Sequence, residues 1–102
     1  MGFATIATKG LDGLLLDESL TGKELKIHIS EVAAGQRSHP PHQHGGIEAI
    51  YMFEGEATLE IGESVQVLRA NQAIVFNPQV LHGLFNSGDG PMRYMVIIAN
   101  ND

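Results

Sequence analysis

Four of the chain's five histidines fall in two places: His39, His42 and His44 surround a Pro40-Pro41 step, and His82 stands forty residues beyond His42, while His28 lies apart. A neutral imidazole is a ligand for divalent transition metals, so the spacing of these rings decides whether they can act together. On an extended strand, residues two apart share a face at a separation of about 6.6 Å, which lets His42 and His44 grip one ion from one side. Glu48 has the same parity. A straight strand would carry it about 13 Å past His44, too far for bonds of about 2.1 Å to a shared ion. The chain must therefore bend between them. Gly45-Gly46 is the place where it can, and the spacing predicts that Gly46 leaves the ligand face unblocked. The absence of cysteine excludes thiolate metal sites and cysteine nucleophiles.

Such a site needs strands to carry it. Apolar and polar residues alternate through Glu56 to Ile61 and again through Ser64 to Val67, across a short Gly62-Glu63 connection, which reads as a hairpin. The same period of two runs from Leu25 to Ile29. β-Branched and aromatic residues dominate Ile47 to Phe53, Ala73 to Phe76 and Arg93 to Ile98. Turn formers separate these runs, among them Leu11-Asp12-Gly13, Thr21-Gly22-Lys23, Gly55, Asn77-Pro78 and Ser87 to Pro91. No segment keeps a helical period. Six to nine short strands with turns at such intervals predict an all-β sandwich or barrel. The polar end, Asn100-Asn101-Asp102, is expected to fray.

The 102 residues predict one domain spanning residues 1–102, large enough to bury a core without staples. Twelve acidic side chains against six basic ones argue against a nucleic-acid footprint and against an anionic membrane surface, so small molecules and protein partners are the expected contacts. No stretch reads as a signal peptide or a membrane span, and the expected location is cytoplasmic.

Gly35, His42-Gln43-His44, Glu48 and Gly55, followed by His82 and Asn86, resemble the two sequence motifs of the cupin superfamily. The resemblance covers roughly residues 25–98 and implies a small β-barrel of jelly-roll type. It also implies that His42, His44, Glu48 and His82 are the ligands of one divalent ion per subunit. Three imidazoles and a carboxylate suit Mn, Fe, Ni, Co or Zn. The match is not uniform. Six residues separate Gly35 from His42 where the family has five, and in the second motif Asn71, Asn77 and Gln79 replace glycine, proline and glycine. Asn71 tolerates a positive φ, whereas Gln79 at a glycine position predicts strain unless the turn differs.

The resulting expectation is a metal-dependent enzyme acting on a small, partly apolar molecule that coordinates the ion, with a dioxygenase placed ahead of an isomerase or lyase and Glu48 as the catalytic group. The alternative is a non-catalytic, metal-dependent binding or sensing module. His39 reads as an extended, solvated loop residue with a lesser claim as a fifth ligand or proton donor. His28 has the parity opposite to Leu25, Ile27 and Ile29, which predicts a solvent-side or interface position. Met52, Phe76, Phe85, Tyr94 and Met95 read as core filler that could line a cavity, and Arg37, Gln43 and Tyr51 as candidate substrate contacts. Apolar residues of both parities in Ile47 to Phe53 predict a homodimer.

Overall fold

The alternating runs become strands in a computed structural model that describes residues 2–100. There are nine among the described residues: β1 (Phe3–Thr8), β2 (Leu11–Asp17), β3 (Leu25–Val32), β4 (Ile47–Glu54), β5 (Glu56–Ile61), β6 (Ser64–Arg69), β7 (Ala73–Phe76), β8 (His82–Asn86) and β9 (Met92–Ala99). They form a four-stranded antiparallel sheet in the order β3-β9-β4-β7, a three-stranded sheet β6-β5-β8, and a separate hairpin β1-β2. The two larger sheets face each other as an open jelly-roll barrel. No helix long and apolar enough to cross a membrane occurs among the described residues.

The core lies between those sheets. Val32, Ile50, Met52, Phe76, Met92, Tyr94 and Val96 enter from the four-stranded sheet, and Ala57, Leu59, Leu68 and Leu84 from the three-stranded one. Met52 and Leu59 are fully buried, each burial stabilising the fold by about 1.5–3 kcal/mol. The expected hairpin is present, with Ile61 opposite Ser64 and Gly62 in the left-handed region at φ 56°. Gly55, between β4 and β5, has φ 90°, and a Cβ there would lie 2.7 Å from the Pro91 carbonyl oxygen, so no other residue fits without displacing backbone.

The second motif shows how its substitutions are absorbed. Asn71 takes φ 67°, as its short polar side chain allows. Gln79 has no positive φ. Its amide instead donates to Asn77 Oδ1 at 3.0 Å, a side-chain-closed turn that replaces the glycine geometry and removes the expected strain. Asn86 is fully buried and ties three segments: Nδ2 donates to the Val32 and Gly90 carbonyls at 2.9 Å each, and Oδ1 accepts from the Gly88 amide at 3.0 Å.

The N-terminal segment departs from the sequence reading. Leu11-Asp12-Gly13 is the start of β2 and not a turn; the chain reverses at Lys9-Gly10 instead. A Cβ on Gly10 would lie 2.2 Å from the Ile29 carbonyl oxygen, so the turn is pressed against β3. The hairpin is fastened to that otherwise unpaired edge, where the Ile29 amide donates to Lys9 O at 2.9 Å and Thr8 Oγ1 donates to Ile27 O at 2.8 Å. Asn100 is held rather than frayed, its amide on Glu24 O and its side chain on Lys23 O; Asn101 and Asp102 lie outside the described residues.

Candidate metal centre

His42 and His82 are joined first by backbone: each amide donates to the other's carbonyl at 2.9 Å, although His42 lies outside the named strands. The His44 amide donates to Pro78 O at 2.9 Å, which fixes the segment on the turn that leads into β8. The bend after His44 then brings β4 back beneath it. Gly46 has φ 92°, and a Cβ there would meet the Ala99 carbonyl oxygen at 2.4 Å. Close approach to β9, and not clearance for a ligand, is why this position needs glycine. The outcome of the bend is direct: Glu48 Oε1 lies 3.0 Å from His44 Nε2 and 3.5 Å from His82 Nε2.

The ligand-type nitrogens of His42, His44 and His82 lie within 4.8 Å of one another. Exposure falls across the three, from His42 at the rim through His44 to buried His82. His44 Nδ1 lies 2.9 Å from the Gly45 carbonyl oxygen and His82 Nδ1 2.9 Å from that of Val80, contacts that assign the ring proton to Nδ1. Each Nε2 then presents a lone pair to the interior. Glu48 Oε1 presents another. All three atoms are buried and lack a hydrogen-bond partner. Buried lone pairs aimed at one another at 3.0–3.5 Å repel unless a cation or a proton lies among them, so this donor set fits a divalent ion of the borderline class. Burial, then His39, His82 and His44 as neighbours, lowers the pKa of His42, which keeps its ring available as a neutral ligand.

A cavity of about 50 Å³ opens from this cluster into the barrel. Its walls are aliphatic, from Ile50, Leu59, Leu84, Val96 and Ile98, and its polar groups include Tyr94 and His39. His39 is exposed at the mouth with its ring centroid 4.3 Å from that of His42, and Ser38 Oγ lies 3.0 Å from the Tyr94 hydroxyl. The extra residue of the first motif is thus accommodated in the loop that rims the cavity.

His28 also lines it, contrary to the parity argument. On β3 it is the even positions, His28, Ser30 and Val32, that face the barrel interior. Leu25 and Ile27 face a groove shared with Ile6, Leu14 and Leu16 of the β1-β2 hairpin. With apolar neighbours on both faces, alternation alone could not say which face was inward. The remaining candidates are placed elsewhere. Arg37 pairs with Glu60 at 2.7 Å and lies over the Phe85 ring, Tyr51 bonds Asn71 Oδ1, and Gln43 and Met95 do not line the cavity. Met52 and Phe76 are core residues, Phe76 with its ring centroid 4.9 Å from that of His82.

Residues 28–98 match the model of a family described as "Cupin domain". No curated protein sequence matches. Among solved structures, the cupin domain of an XRE family transcriptional regulator from Enterobacter cloacae aligns at TM-score 0.70 and 24% identity, over 84% of this chain and 88% of that one. An RmlC-like cupin family protein with a double-stranded β-helix fold from Methanocaldococcus jannaschii gives TM-score 0.73 at 14% identity, covering 95% and 81%. A conserved protein of unknown function from Streptococcus pyogenes gives 0.72 at 17%, covering 86% and 71%. At these identities the likeness is one of fold.

Proposed function

The chain belongs to the cupin family, and from that premise we propose that it is a metal-dependent protein that takes a small organic molecule onto an ion held by His42, His44, Glu48 and His82. The observation that carries the reading is the set of buried, unpartnered lone pairs on His44, Glu48 and His82 beside the exposed imidazole of His42. When bound, a Mn, Fe, Ni, Co or Zn ion supplies Lewis acidity, and Fe or Mn also electron transfer. The chain's own residues do the rest. Ring protons committed to the Gly45 and Val80 carbonyls hold two imidazoles in the ligating tautomer. The aliphatic walls exclude water from the inner end, and His42 and His39 leave the outer end open to a substrate. Among the described residues Glu48 is the one carboxylate that lines the cavity, which supports a role for it as proton acceptor.

Turnover is the leading use of such an open centre, with oxygen-dependent cleavage placed ahead of isomerisation or elimination. The second reading is metal-dependent sensing, and the fold shared with a cupin domain of a transcriptional regulator favours it. Two further elements complete the proposal: residues 1–102 form one domain, and the chain pairs with a second copy. The accessible surface is 6305 Å², about 700 Å² more than a compact monomer of this mass exposes. That surplus is close to the roughly 800 Å² each partner buries in a standard interface.

Elemental analysis of the purified protein tests the centre. One ion per subunit is expected, and near-complete loss of it in the His42→Ala, His44→Ala double variant; full occupancy of that variant would overturn the ligand assignment. Turnover screened under air and under nitrogen, with Glu48→Gln alongside, separates the two uses. In an enzyme Glu48→Gln lowers turnover at least tenfold more than it weakens ligand binding, whereas in a sensing module only binding is altered.

A further inference from the structure

His28 has no role in the metal centre, yet it occupies the inner face of β3 and lines the same cavity. Among the described residues no hydrogen bond engages its ring. The ring is half-buried, its nitrogens are not among the buried, unpartnered polar atoms, and it lines the cavity together with the aliphatic Ile50, Val96 and Ile98, so its donor and acceptor are free for a ligand. We propose that His28 is a second anchor of the ligand site, hydrogen-bonding the far end of a small molecule whose near end coordinates the ion. This deepens the metal-dependent reading above and rests on it.

The strand register supplies a ruler. His28 pairs with Val96 on β9, and Val96 pairs with Ile50 on β4, two residues beyond Glu48 on the same face. Two strand spacings and two residues of rise put the Cα atoms of His28 and Glu48 about 12 Å apart in a regular sheet. The Glu48 side chain with the ion, and the His28 ring, take up part of that span from its two ends, so the ligand that bridges them is short. The wall between the anchors is Ile50, Val96 and Ile98, which calls for an apolar spacer. Among the described residues that line the cavity there is no lysine or arginine, which favours an uncharged distal group. Burial first, then Lys9 and His39, lower the pKa of His28, leaving a neutral ring with one donor and one acceptor, the complement of a hydroxyl. The ligand class is therefore a short aliphatic compound with a chelating oxygen head and a terminal hydroxyl.

Cobalt-loaded protein provides the test, because the visible spectrum of the ion reports ligand binding without turnover. Acetohydroxamate and 4-hydroxybutanohydroxamate share a chelating head, and the second adds a spacer and a hydroxyl. Wild-type protein is expected to bind the hydroxylated probe about tenfold more tightly. His28→Ala should abolish that preference while leaving cobalt stoichiometry and acetohydroxamate affinity unchanged, and His28→Gln, which keeps a donor and an acceptor, should restore part of it. Equal affinities in the wild type, or a preference that survives His28→Ala, would overturn the anchor. Failure of the wild type to bind cobalt at all would instead remove the metal-dependent reading, and the anchor with it.

Discussion

The two faces of the β3-β9-β4-β7 sheet use similar residue types for different ends. The inner face carries Val32, Ile50, Met52, Met92 and Val96, all buried, and interrupts them with Glu48, His28 and Tyr94 where the cavity opens. The outer face carries Ile27, Ile29, Ala49, Met95 and Ile97, which are only half covered, and Ile47 and Val75, which are exposed. Hydrophobicity therefore does not separate the faces. What separates them is a facing sheet, which fills the space over one, whereas among the described residues the other is covered along β3 by the β1-β2 hairpin beside Leu25 and Ile27 and left open further across.

Truncation gives the largest contrast. Met52→Ala empties a fully buried position and should lower stability by about 3 kcal/mol, whereas Val75→Ala on the exposed side should change it by less than about 0.5 kcal/mol; urea unfolding measures both. Similar losses would show that the outer face is as tightly packed as the inner one. Chelation is next. Removing an ion that is present at a hundred times its Kd withdraws about 2.7 kcal/mol, or roughly 10–20 °C of melting temperature for a domain of this size. The far-ultraviolet circular dichroism of the metal-free protein should remain that of a β protein, because the core does not depend on the ligands; an unfolded spectrum at room temperature would contradict that. The smallest effect on folding, and the sharpest on association, is expected from Ile97→Lys. Its long side chain stays solvated on the outer face while opposing pairing, so light scattering should move from a dimer mass to a monomer mass with the fold intact. A wild-type monomer at micromolar concentration would refute the pairing.

The same contrast explains what the sequence made legible. The β5-β6 hairpin was readable from the alternation in β5, where Ala57 and Leu59 are buried, and from the Gly62 turn, although Val65 and Val67 of β6 lie exposed opposite Glu60 and Thr58; β3, β4, β7 and β9 were legible as alternating or β-branched runs, while β8 was marked only by the His82 and Asn86 of the second motif. The convergence of His44 with Glu48 could be anticipated from spacing plus a bend, although the reason for Gly46 could not, since the Ala99 carbonyl that demands it is more than fifty residues away. The β1-β2 hairpin escaped notice because Phe3–Thr8 and Leu11–Asp17 do not alternate cleanly. His28 was assigned to the wrong side for a related reason. The hairpin adds apolar neighbours to Leu25 and Ile27, so the outward positions of β3 are as hydrophobic as inward ones would be. Local pattern carries no information about a cover that arrives from another part of the chain.

The reciprocal backbone pairing of His42 and His82 makes the histidine cradle a replaceable fitting on a fixed mount. Main-chain atoms, shared by every residue except proline, hold the two positions opposite each other, and a third main-chain bond from His44 to Pro78 secures the neighbouring arm. Side chains at these three positions can therefore be exchanged without unfastening the segments that carry them. An engineer could re-equip the cradle with a different donor set, tuned to a softer or harder ion, and keep the same mouth, walls and depth around it.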